Sequence, residues 1–373
     1  MTHFDTIVLG GGTMGTAAAW ELGKRGERAL VLEQFSHVHS LGSHSGYTRV
    51  IRHAYNEGAD YVPLVLHADE LWMELEAETD QLIYHRVGGL EMIAPGYDGA
   101  IRARETAIIH NLDYEWLDGA EIRNRWPTLR VPDSWQAGYG ARSGFLDVET
   151  ALHALGDQAR ILGVKIREDE PVRAWEPDGE GVRVTTDAST YTADRLIVTA
   201  GAWNARMLSQ LGLPLEVRRK VLFWLEVENE SLFVPGEIPV FMSDSDWGSI
   251  YGFPIWERSG LKIARHDGGA TADPETLDRV VRAGEENDVV GLARDIFPGV
   301  TGNVIESAVC MYTVTPDENF IVDRHPEYPQ VTIGAGFSGH GFKFATAIGE
   351  QLAALSLEPM VSPMPMFAID RFA

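Results

Sequence analysis

The chain has 373 residues, with 31 Lys and Arg against 55 Asp and Glu, which gives a formal net charge of −24. This length predicts two domains rather than one compact core. The strong negative charge argues against nucleic acid as a partner, because phosphates would be repelled over most of the surface. A lone cysteine, Cys310, excludes an internal disulfide and favours a reducing compartment.

No apolar stretch reaches the roughly 18–20 residues that span a bilayer, and the first residues read as a strand rather than a signal segment. We therefore expect a cytoplasmic protein with no membrane partner.

The N-terminal residues combine a short apolar strand with the spacing Gly-x-Gly-x-x-Gly at Gly10, Gly12 and Gly15. A second apolar strand ends in Glu33, 18 residues after Gly15. These are the parts of a dinucleotide-binding βαβ unit: the glycines allow a tight turn, approach of a pyrophosphate and close helix packing. Glu33 is placed to accept from ribose hydroxyls, which disfavours NADP. The unit leaves NAD and FAD equally open.

The rest of the chain alternates helical and strand-like segments in three stretches. Helices are predicted over residues 14–24, 61–77, 100–111, 148–162 and 344–356, with another ending at the Trp126-Pro127 pair. The stretch 215–312 is rich in strands, and Asp273 followed by Pro274 predicts a helix start there. A nucleotide domain built from separated segments, with a second domain inserted, is more typical of FAD enzymes than of NAD dehydrogenases.

Several cations lie on candidate loops of this very acidic chain. Arg49 and Arg52 follow a loop of glycines and small hydroxyl residues, where they form either a carboxylate site or a pair of surface arginines. Lys262 and His266 share one face of a strand, in a pocket or at a wet edge. Lys343 follows a glycine loop at a helix start, as an anion site or as a solvated lysine.

Cys310 lies in an apolar strand, and that context alone predicts a small buried hydrophobe. The cations taken together favour an enzyme that acts on a carboxylate-bearing substrate.

Five segments resemble the monomeric sarcosine oxidase and N-methyltryptophan oxidase family, in the same order and over nearly the whole chain. They are residues 42–58, 251–254, 261–266, 308–313 and 337–344. The resemblance implies a flavoprotein oxidase that demethylates N-methyl amino acids, giving the amino acid, formaldehyde and hydrogen peroxide, with oxygen as acceptor. It implies an α/β fold: a discontinuous FAD-binding Rossmann-like domain (1–80, 146–214 and 315–373) and an α+β substrate domain (81–145 and 215–314) on a mostly antiparallel sheet.

The resemblance also assigns roles to individual residues. Cys310 matches the cysteine that attaches FAD through an 8α-S-cysteinyl bond, contrary to its interpretation from composition. Arg52 and Lys343 match the residues that hold the substrate carboxylate. The matched catalytic residues are Lys262 (oxygen activation), Arg49 (against the flavin), and His266 and Tyr251 (beside the substrate). The cofactor-binding residues are Gly10, Gly12, Thr13, Met14, Gly15, Glu33, Ser43, Thr48, Arg49, Val172, Ala200, Gly201, Gly339, Gly341, Phe342 and Lys343. No metal site is expected.

The chain departs from the family pattern at Ser45 and Tyr47, where the family often has His and Asp. The motifs leave the N-alkyl amino acid open between sarcosine, N-methyltryptophan and other secondary amines, such as sugar adducts of amino acids. A flavin dehydrogenase that passes electrons to a carrier, and a noncatalytic nucleotide-sensing protein, are the alternatives. We expect a monomer.

Overall fold

A computed structural model describes residues 2–372. The strands, numbered in chain order, are β1 (Thr2–Leu9), β2 (Ala29–Leu32), β3 (Thr48–Ile51), β4 (Tyr84–His85), β5 (Gly89–Ile93), β6 (Glu115–Asp118), β7 (Gln136–Gly140), β8 (Gly144–Asp147), β9 (Lys165–Arg167), β10 (Val172–Asp178), β11 (Gly181–Thr186), β12 (Thr190–Val198), β13 (Glu216–Val227), β14 (Val240–Ser245), β15 (Gly248–Phe253), β16 (Leu261–Arg265), β17 (Val300–Val314), β18 (Ile321–Arg324) and β19 (Val331–Ala335). The helices are α1 (Thr13–Lys24), α2 (Tyr61–Thr79), α3 (Gly99–Ile109), α4 (Gly119–Arg125), α5 (Val148–Ile161), α6 (Asn204–Met207), α7 (Asn287–Ile296) and α8 (Ala345–Leu357).

The first sheet is Rossmann-like. Its order is β10-β11-β12-β1-β2-β9, and β19 with β18 joins at β12. Strands β1, β2, β9, β12 and β19 pair in parallel, and their apolar side chains are buried because helices cover the sheet. Helix α1 packs against α8 at small residues: a Cβ on Gly349 would lie 2.5 Å from the Ala17 carbonyl carbon.

The second sheet is mostly antiparallel, in the order β17-β13-β16-β15-β14-β5-β7-β6, with β14 and β5 as its parallel pair. Alternation along β13 separates its two faces. Phe223 and Leu225 pack on the side covered by α7, whereas Leu222 and Trp224 join a cluster with Cys310 on the other side. A small sheet, β3-β8-β4, completes the fold.

The fold class predicted from the sequence is confirmed: a Rossmann-like sheet accompanies a mostly antiparallel one. The domain boundaries stay a prediction. Within residues 2–372 no helix is long and apolar enough to cross a membrane.

The helix predicted to start at Asp273 is wrong, because residues 273–286 form turns and irregular chain. The Asp273 carboxylate accepts from the Glu275 backbone N–H at 2.9 Å, which makes a local turn. The Arg219 guanidinium then donates hydrogen bonds to the carbonyl oxygens of Asp278 and Val280, at 2.7 and 2.9 Å. These tertiary bonds hold carbonyls that a helix would use, and the next helix, α7, starts at Asn287.

Candidate active site

A long cleft runs from the β1–α1 turn to the front of the second sheet. Its lining includes the glycine turn, the end of β2, the loop at residues 42–44, the turn at 199–203, strands β14 and β15, and the loop at 336–343. Segments far apart in the chain therefore meet along one continuous surface.

Of the three glycines in the turn, Gly12 borders open space, whereas Gly10 and Gly15 lie in close contact with other atoms. Gly10 has φ +96°, and a Cβ there would lie 2.5 Å from the Thr199 carbonyl oxygen. A Cβ on Gly15 would lie 1.8 Å from the Gly10 oxygen, so this glycine serves packing. A Cβ on Gly12 would meet nothing closer than His44 Nδ1 at 3.9 Å. Helix α1 has no side-chain cap at Gly12, which leaves its first N–H groups available to phosphates.

Glu33 is held at the end of β2 by backbone donors. Its carboxylate accepts from the Gly11 N–H at 2.7 Å and from the Phe35 N–H at 2.9 Å. The side chain is buried and lines the cleft. These bonds fix the carboxylate beside the glycine turn, where the ribose of a bound dinucleotide is expected.

Arg49 lies midway along the cleft and binds three backbone carbonyls. It donates to Thr48, Ser43 and Ser45 oxygens, at 2.8, 2.9 and 2.6 Å. A guanidinium held by carbonyls keeps its charge without a carboxylate partner. Arg49 thereby holds the loop at 43–48 and offers a fixed positive charge to the cleft.

Arg52 and Lys343 lie on either side of the Tyr55 side chain. The Arg52 guanidinium carbon is 4.3 Å from the ring centroid, and Lys343 Nζ donates to the hydroxyl at 3.2 Å. Both cations are buried and both line the cleft. Burial and the charge of Arg52 lower the pKa of Lys343 to about 7, although Glu57 opposes them.

Glu57 is the present partner of Arg52. Its carboxylate oxygens lie 2.7 and 2.8 Å from Arg52 Nη2. Burial raises the pKa of Glu57, but the charges of Arg52, His340 and Lys343 outweigh it and bring that pKa to about 2. The pair is therefore ionised, and a competing carboxylate has to displace Glu57 from the guanidinium.

Polar residues of the second sheet form the floor of the cleft. Tyr251 and Tyr312 approach each other through their hydroxyls at 3.4 Å, and His266 packs against both rings. Burial lowers the pKa of His266 to about 4, an effect that the cations Lys220, Arg52 and Lys343 reinforce and Glu57 opposes. His266 is consequently neutral at pH 7, so that one ring nitrogen donates a hydrogen bond and the other accepts one.

Lys262 is buried on the same sheet face. Its Nζ donates to the Gly46 oxygen, to the Thr48 carbonyl at 2.9 Å and to Thr48 Oγ1 at 2.8 Å. It also lies 4.3 Å from the centroid of the Phe253 ring. Burial and the charge of Arg49 hold the pKa of Lys262 well below its usual range. A lysine whose charged form is disfavoured by burial is thus placed under the loop at 46–48.

Cys310 is buried on β17, paired across the ladder with Lys220. Burial raises the pKa of the thiol, while the charges of Arg49, Lys262 and Lys220 act to lower it. Three cations around one cysteine are more than a small buried hydrophobe needs.

The two departures from the family pattern lie away from the cleft lining. Tyr47 has φ +65°, and its hydroxyl donates to Glu306 at 3.2 Å, with Arg258 3.7 Å above its ring. The Ser45 hydroxyl is buried without a hydrogen-bond partner among residues 2–372.

The structure brings most of the predicted site residues into one cleft. Those that line it are Gly10, Gly12, Thr13, Met14, Glu33, Ser43, Arg49, Arg52, Val172, Ala200, Gly201, Tyr251, His266, Gly339, Gly341, Phe342 and Lys343. Gly15, Thr48, Lys262 and Cys310 lie behind the lining. Sequence reasoning missed Glu57, Glu91, Asp244, Tyr312 and His340, all of which line the cleft. Glu91 was detectable as a lone acid in the apolar strand β5.

This arrangement defines a dinucleotide-binding oxidoreductase with a buried, charged substrate end. The family model described as "FAD dependent oxidoreductase" matches residues 5–355. The chain belongs to this family and is an FAD-dependent oxidoreductase, as the sequence predicted.

Curated relatives support the assignment, and a solved structure supports the fold. The chain is 41% identical to a monomeric sarcosine oxidase of Bacillus sp. (strain NS-129), over 95% of this chain and 93% of that protein. It is 35% identical to an N-methyl-L-tryptophan oxidase of Yersinia pestis (strain Pestoides F), over 99% of each. The fold is similar to that of NikD, an amino acid oxidase of nikkomycin biosynthesis, with a TM-score of 0.87 at 24% identity and 99% and 98% coverage.

The described residues fit FAD. The open space at Gly12 and the uncapped start of α1 suit its pyrophosphate, and the anchored Glu33 suits its ribose.

Proposed function

We propose that this protein is an oxidase that removes the methyl group of N-methyl amino acids and yields the amino acid, formaldehyde and hydrogen peroxide. The observation that carries the proposal is the pair of buried cations, Arg52 and Lys343, on either side of Tyr55 in the cleft. Two of the relatives reported above are named for sarcosine and for N-methyl-L-tryptophan. Both substrates carry a carboxylate next to a secondary amine, and the carboxylate matches this pair of basic side chains.

In this proposal Arg52 and Lys343 hold the substrate carboxylate. The guanidinium supplies a planar fork that matches both oxygens, and the ammonium adds a point charge. Clamping the carboxylate fixes the amine relative to the floor of the cleft, and such positioning supplies a large share of the rate of a bimolecular reaction. Glu57 has to release Arg52 when the substrate enters, because both compete for Nη2.

FAD, when bound, supplies the acceptor for the two electrons removed from the substrate. The amine reacts in its neutral form, and the cations Arg52 and Lys343 favour that form by lowering its pKa. We assign the neutral His266 and the hydroxyls of Tyr251 and Tyr312 to hydrogen bonding beside the amine. The substrate leaves as an imine, and water hydrolyses it to formaldehyde and the amino acid.

We assign Lys262 to oxygen activation. Its side chain is buried behind the cleft lining, where its protonated form favours the negative charge that develops as oxygen takes electrons. Arg49 offers a second fixed charge, held by its three carbonyl acceptors.

We further propose that Cys310 attaches the flavin through an 8α-S-cysteinyl thioether. Such a bond requires the thiolate, and the surrounding basic side chains oppose the rise in the thiol pKa that burial causes. The FAD contacts predicted from the sequence, including Thr48 and Val172, belong to the same proposal. We also propose that the protein is a monomer, as the name of the sarcosine oxidase relatives supports. We further propose a cytoplasmic location.

A peroxide-coupled assay with sarcosine, N-methyl-L-tryptophan and N-methylalanine tests the function. We expect hydrogen peroxide and formaldehyde in equal amounts from at least one of them. Flavin that substrate reduces but oxygen does not reoxidise would indicate a dehydrogenase instead. A colourless purified protein would support the noncatalytic alternative.

A further inference from the structure

One row of side chains crosses the floor of the cleft from strand to strand. Tyr251 on β15 is paired with Met242 on β14, and Met242 is paired with Glu91 on β5. Directly paired residues project from the same face of a sheet, so all three face the cleft, as the lining confirms. Asp244 lies two residues after Met242 and therefore also projects from this face.

Glu91 is a buried carboxylate that its neighbours leave without a hydrogen bond. Its side chain is 10% exposed, and among residues 2–372 the one basic nitrogen within 4.0 Å is Arg52 Nη1, at 4.0 Å. The Tyr114 hydroxyl lowers the pKa of Glu91 as a nearby hydrogen-bond donor. Among residues 2–372, however, this hydroxyl makes no hydrogen bond within 3.5 Å. Burial raises the pKa of Glu91 to about 7 in spite of Arg52. The carboxylate thus faces the cleft with Arg52, at 4.0 Å, and the Tyr114 hydroxyl as its polar neighbours.

Asp244 reaches the cleft because Gly99 makes room for it. A Cβ on Gly99 would lie 2.1 Å from Asp244 Oδ2, and Gly99 also lines the cleft. No lysine, arginine or histidine nitrogen of the described residues lies within 4.0 Å of this carboxylate. Arg102, one of the cations that lower its pKa, is bonded to Asp98. Burial nevertheless keeps the pKa of Asp244 raised.

Acidic side chains outnumber basic ones at this end of the cleft. Glu57, Glu91 and Asp244 face two cations, Arg52 and Lys343. The other nearby cations, Arg49 and Lys262, donate to backbone carbonyls further along the cleft. A substrate that brings a carboxylate and a neutral amine would make the site still more negative.

We propose that the preferred substrate is an N-methyl amino acid with a second, cationic group at the end of its side chain, bound by Glu91 and Asp244. The inference rests on the proposed function, because it places the carboxylate at Arg52 and Lys343. Glu91 lies two strands from Tyr251, which is about 10 Å at the usual strand spacing. An extended basic side chain and the Glu91 side chain span that distance together.

Two matched substrates test the preference: Nα-methyl-lysine and Nα-methylnorleucine, which share a carbon chain and differ in the terminal ammonium. We expect kcat/KM to be about tenfold or more higher for the lysine derivative, since a buried charge pair is worth at least that factor. Glu91→Gln and Asp244→Asn should each reduce this ratio toward one. Asp246→Asn is the control, because Asp246 is exposed next to the strand that carries Asp244 and does not line the cleft; it should leave the ratio intact.

Two further ligands test the subsite without turnover: 6-aminohexanoate and hexanoate, titrated against the flavin absorbance. The aminated ligand should bind more tightly to the wild type, and Glu91→Gln should remove the difference. Melting temperatures of the variants show that each is folded. Equal kcat/KM for the two substrates, or a preference that both acid variants retain, would overturn the inference while leaving the oxidase function intact. If neither these two substrates nor sarcosine, N-methyl-L-tryptophan and N-methylalanine reduce the flavin, the proposed function fails, and the titration still decides whether Glu91 binds a cation.

Discussion

The nucleotide end and the substrate end of the cleft present different chemical groups. The nucleotide end consists of backbone: the glycine turn, the uncapped start of α1, and Glu33 held by two N–H groups. The substrate end consists of titratable side chains, among them the buried Arg52 and Lys343 and the half-buried Glu57. A backbone site binds what all dinucleotides share, whereas a cluster of buried charges discriminates between substrates. Variants at the two ends test this division.

The largest effect is expected at Cys310. Acid-precipitated wild-type protein should remain yellow, because a thioether survives denaturation. Cys310→Ala should release all of its flavin into the supernatant, since the chain has no other cysteine. Absorbance of the pellet and the supernatant measures the distribution. Release of all the flavin from the wild type would disprove covalent attachment.

Arg52→Ala should raise KM steeply and lower kcat/KM by roughly thirtyfold to several thousandfold, because loss of one partner of a buried charge pair costs about 2–5 kcal/mol. Arg52→Lys keeps the charge and loses the planar fork, so its kcat/KM should lie between those of the wild type and Arg52→Ala. Steady-state kinetics with the best N-methyl substrate measure both variants. An unchanged KM in Arg52→Ala would remove Arg52 from the carboxylate site.

Lys262→Met should slow reoxidation of the reduced flavin by about 10²-fold, the usual cost of losing one preorganised electrostatic contact. Reduction by substrate should change far less. Stopped-flow measurement of each half-reaction separates the two, and equal effects on both would contradict the assignment. Arg258→Met, an exposed cation near the same loop, is the control.

Binding of a carboxylate should weaken above pH 7. Lys343 has a pKa of about 7 in the free protein, and a bound carboxylate favours its charged form. Affinity is therefore full below that pH and falls by up to tenfold per unit above it. Glu91, with a pKa of about 7, becomes anionic over the same range and acts in the same direction. Titration with propionate should give this slope, and Lys343→Met should flatten it while Glu91→Gln retains the Lys343 part. A slope that Lys343→Met leaves unchanged would contradict the assignment.

The smallest effect is expected at the nucleotide end. Gly12→Ala should fold normally, because the added methyl group meets no protein atom within 3.9 Å. It should bind FAD about tenfold more weakly, since the methyl group occupies space that the pyrophosphate needs and crowding costs about 1–3 kcal/mol. FAD titration in a Cys310→Ala background measures the affinity. An unchanged affinity would show that the pyrophosphate does not approach this glycine.

The same division explains what the sequence made predictable. The glycine turn and Glu33 lie within 33 residues, so their spacing is a local signal. Most of the α-helices were predicted from their periodicity, and the family motifs located Arg52 and Lys343. The turns after Asp273 were missed because side chains from distant strands, such as Arg219, decide them.

Glu91 and Asp244 were missed for a related reason. Each is a single acid in a strand of a very acidic chain, and only the parallel pairing of β5 with β14 brings them together. Gly99, which makes room for Asp244, belongs to helix α3 and not to either of these strands. Long-range pairing of this kind leaves no trace in local spacing.

The row of paired residues across the second sheet limits how this enzyme can diversify. Tyr251, Met242 and Glu91 belong to neighbouring strands, and a one-residue insertion in any of these strands would turn its functional side chains into the opposite core. Lineages can therefore alter substrate range by exchanging side chains at alternate positions, but gaining or losing single residues there destroys the site. Length variation should concentrate in the connecting loops, and substitutions at positions 91, 242 and 244 should separate descendants that act on different amines.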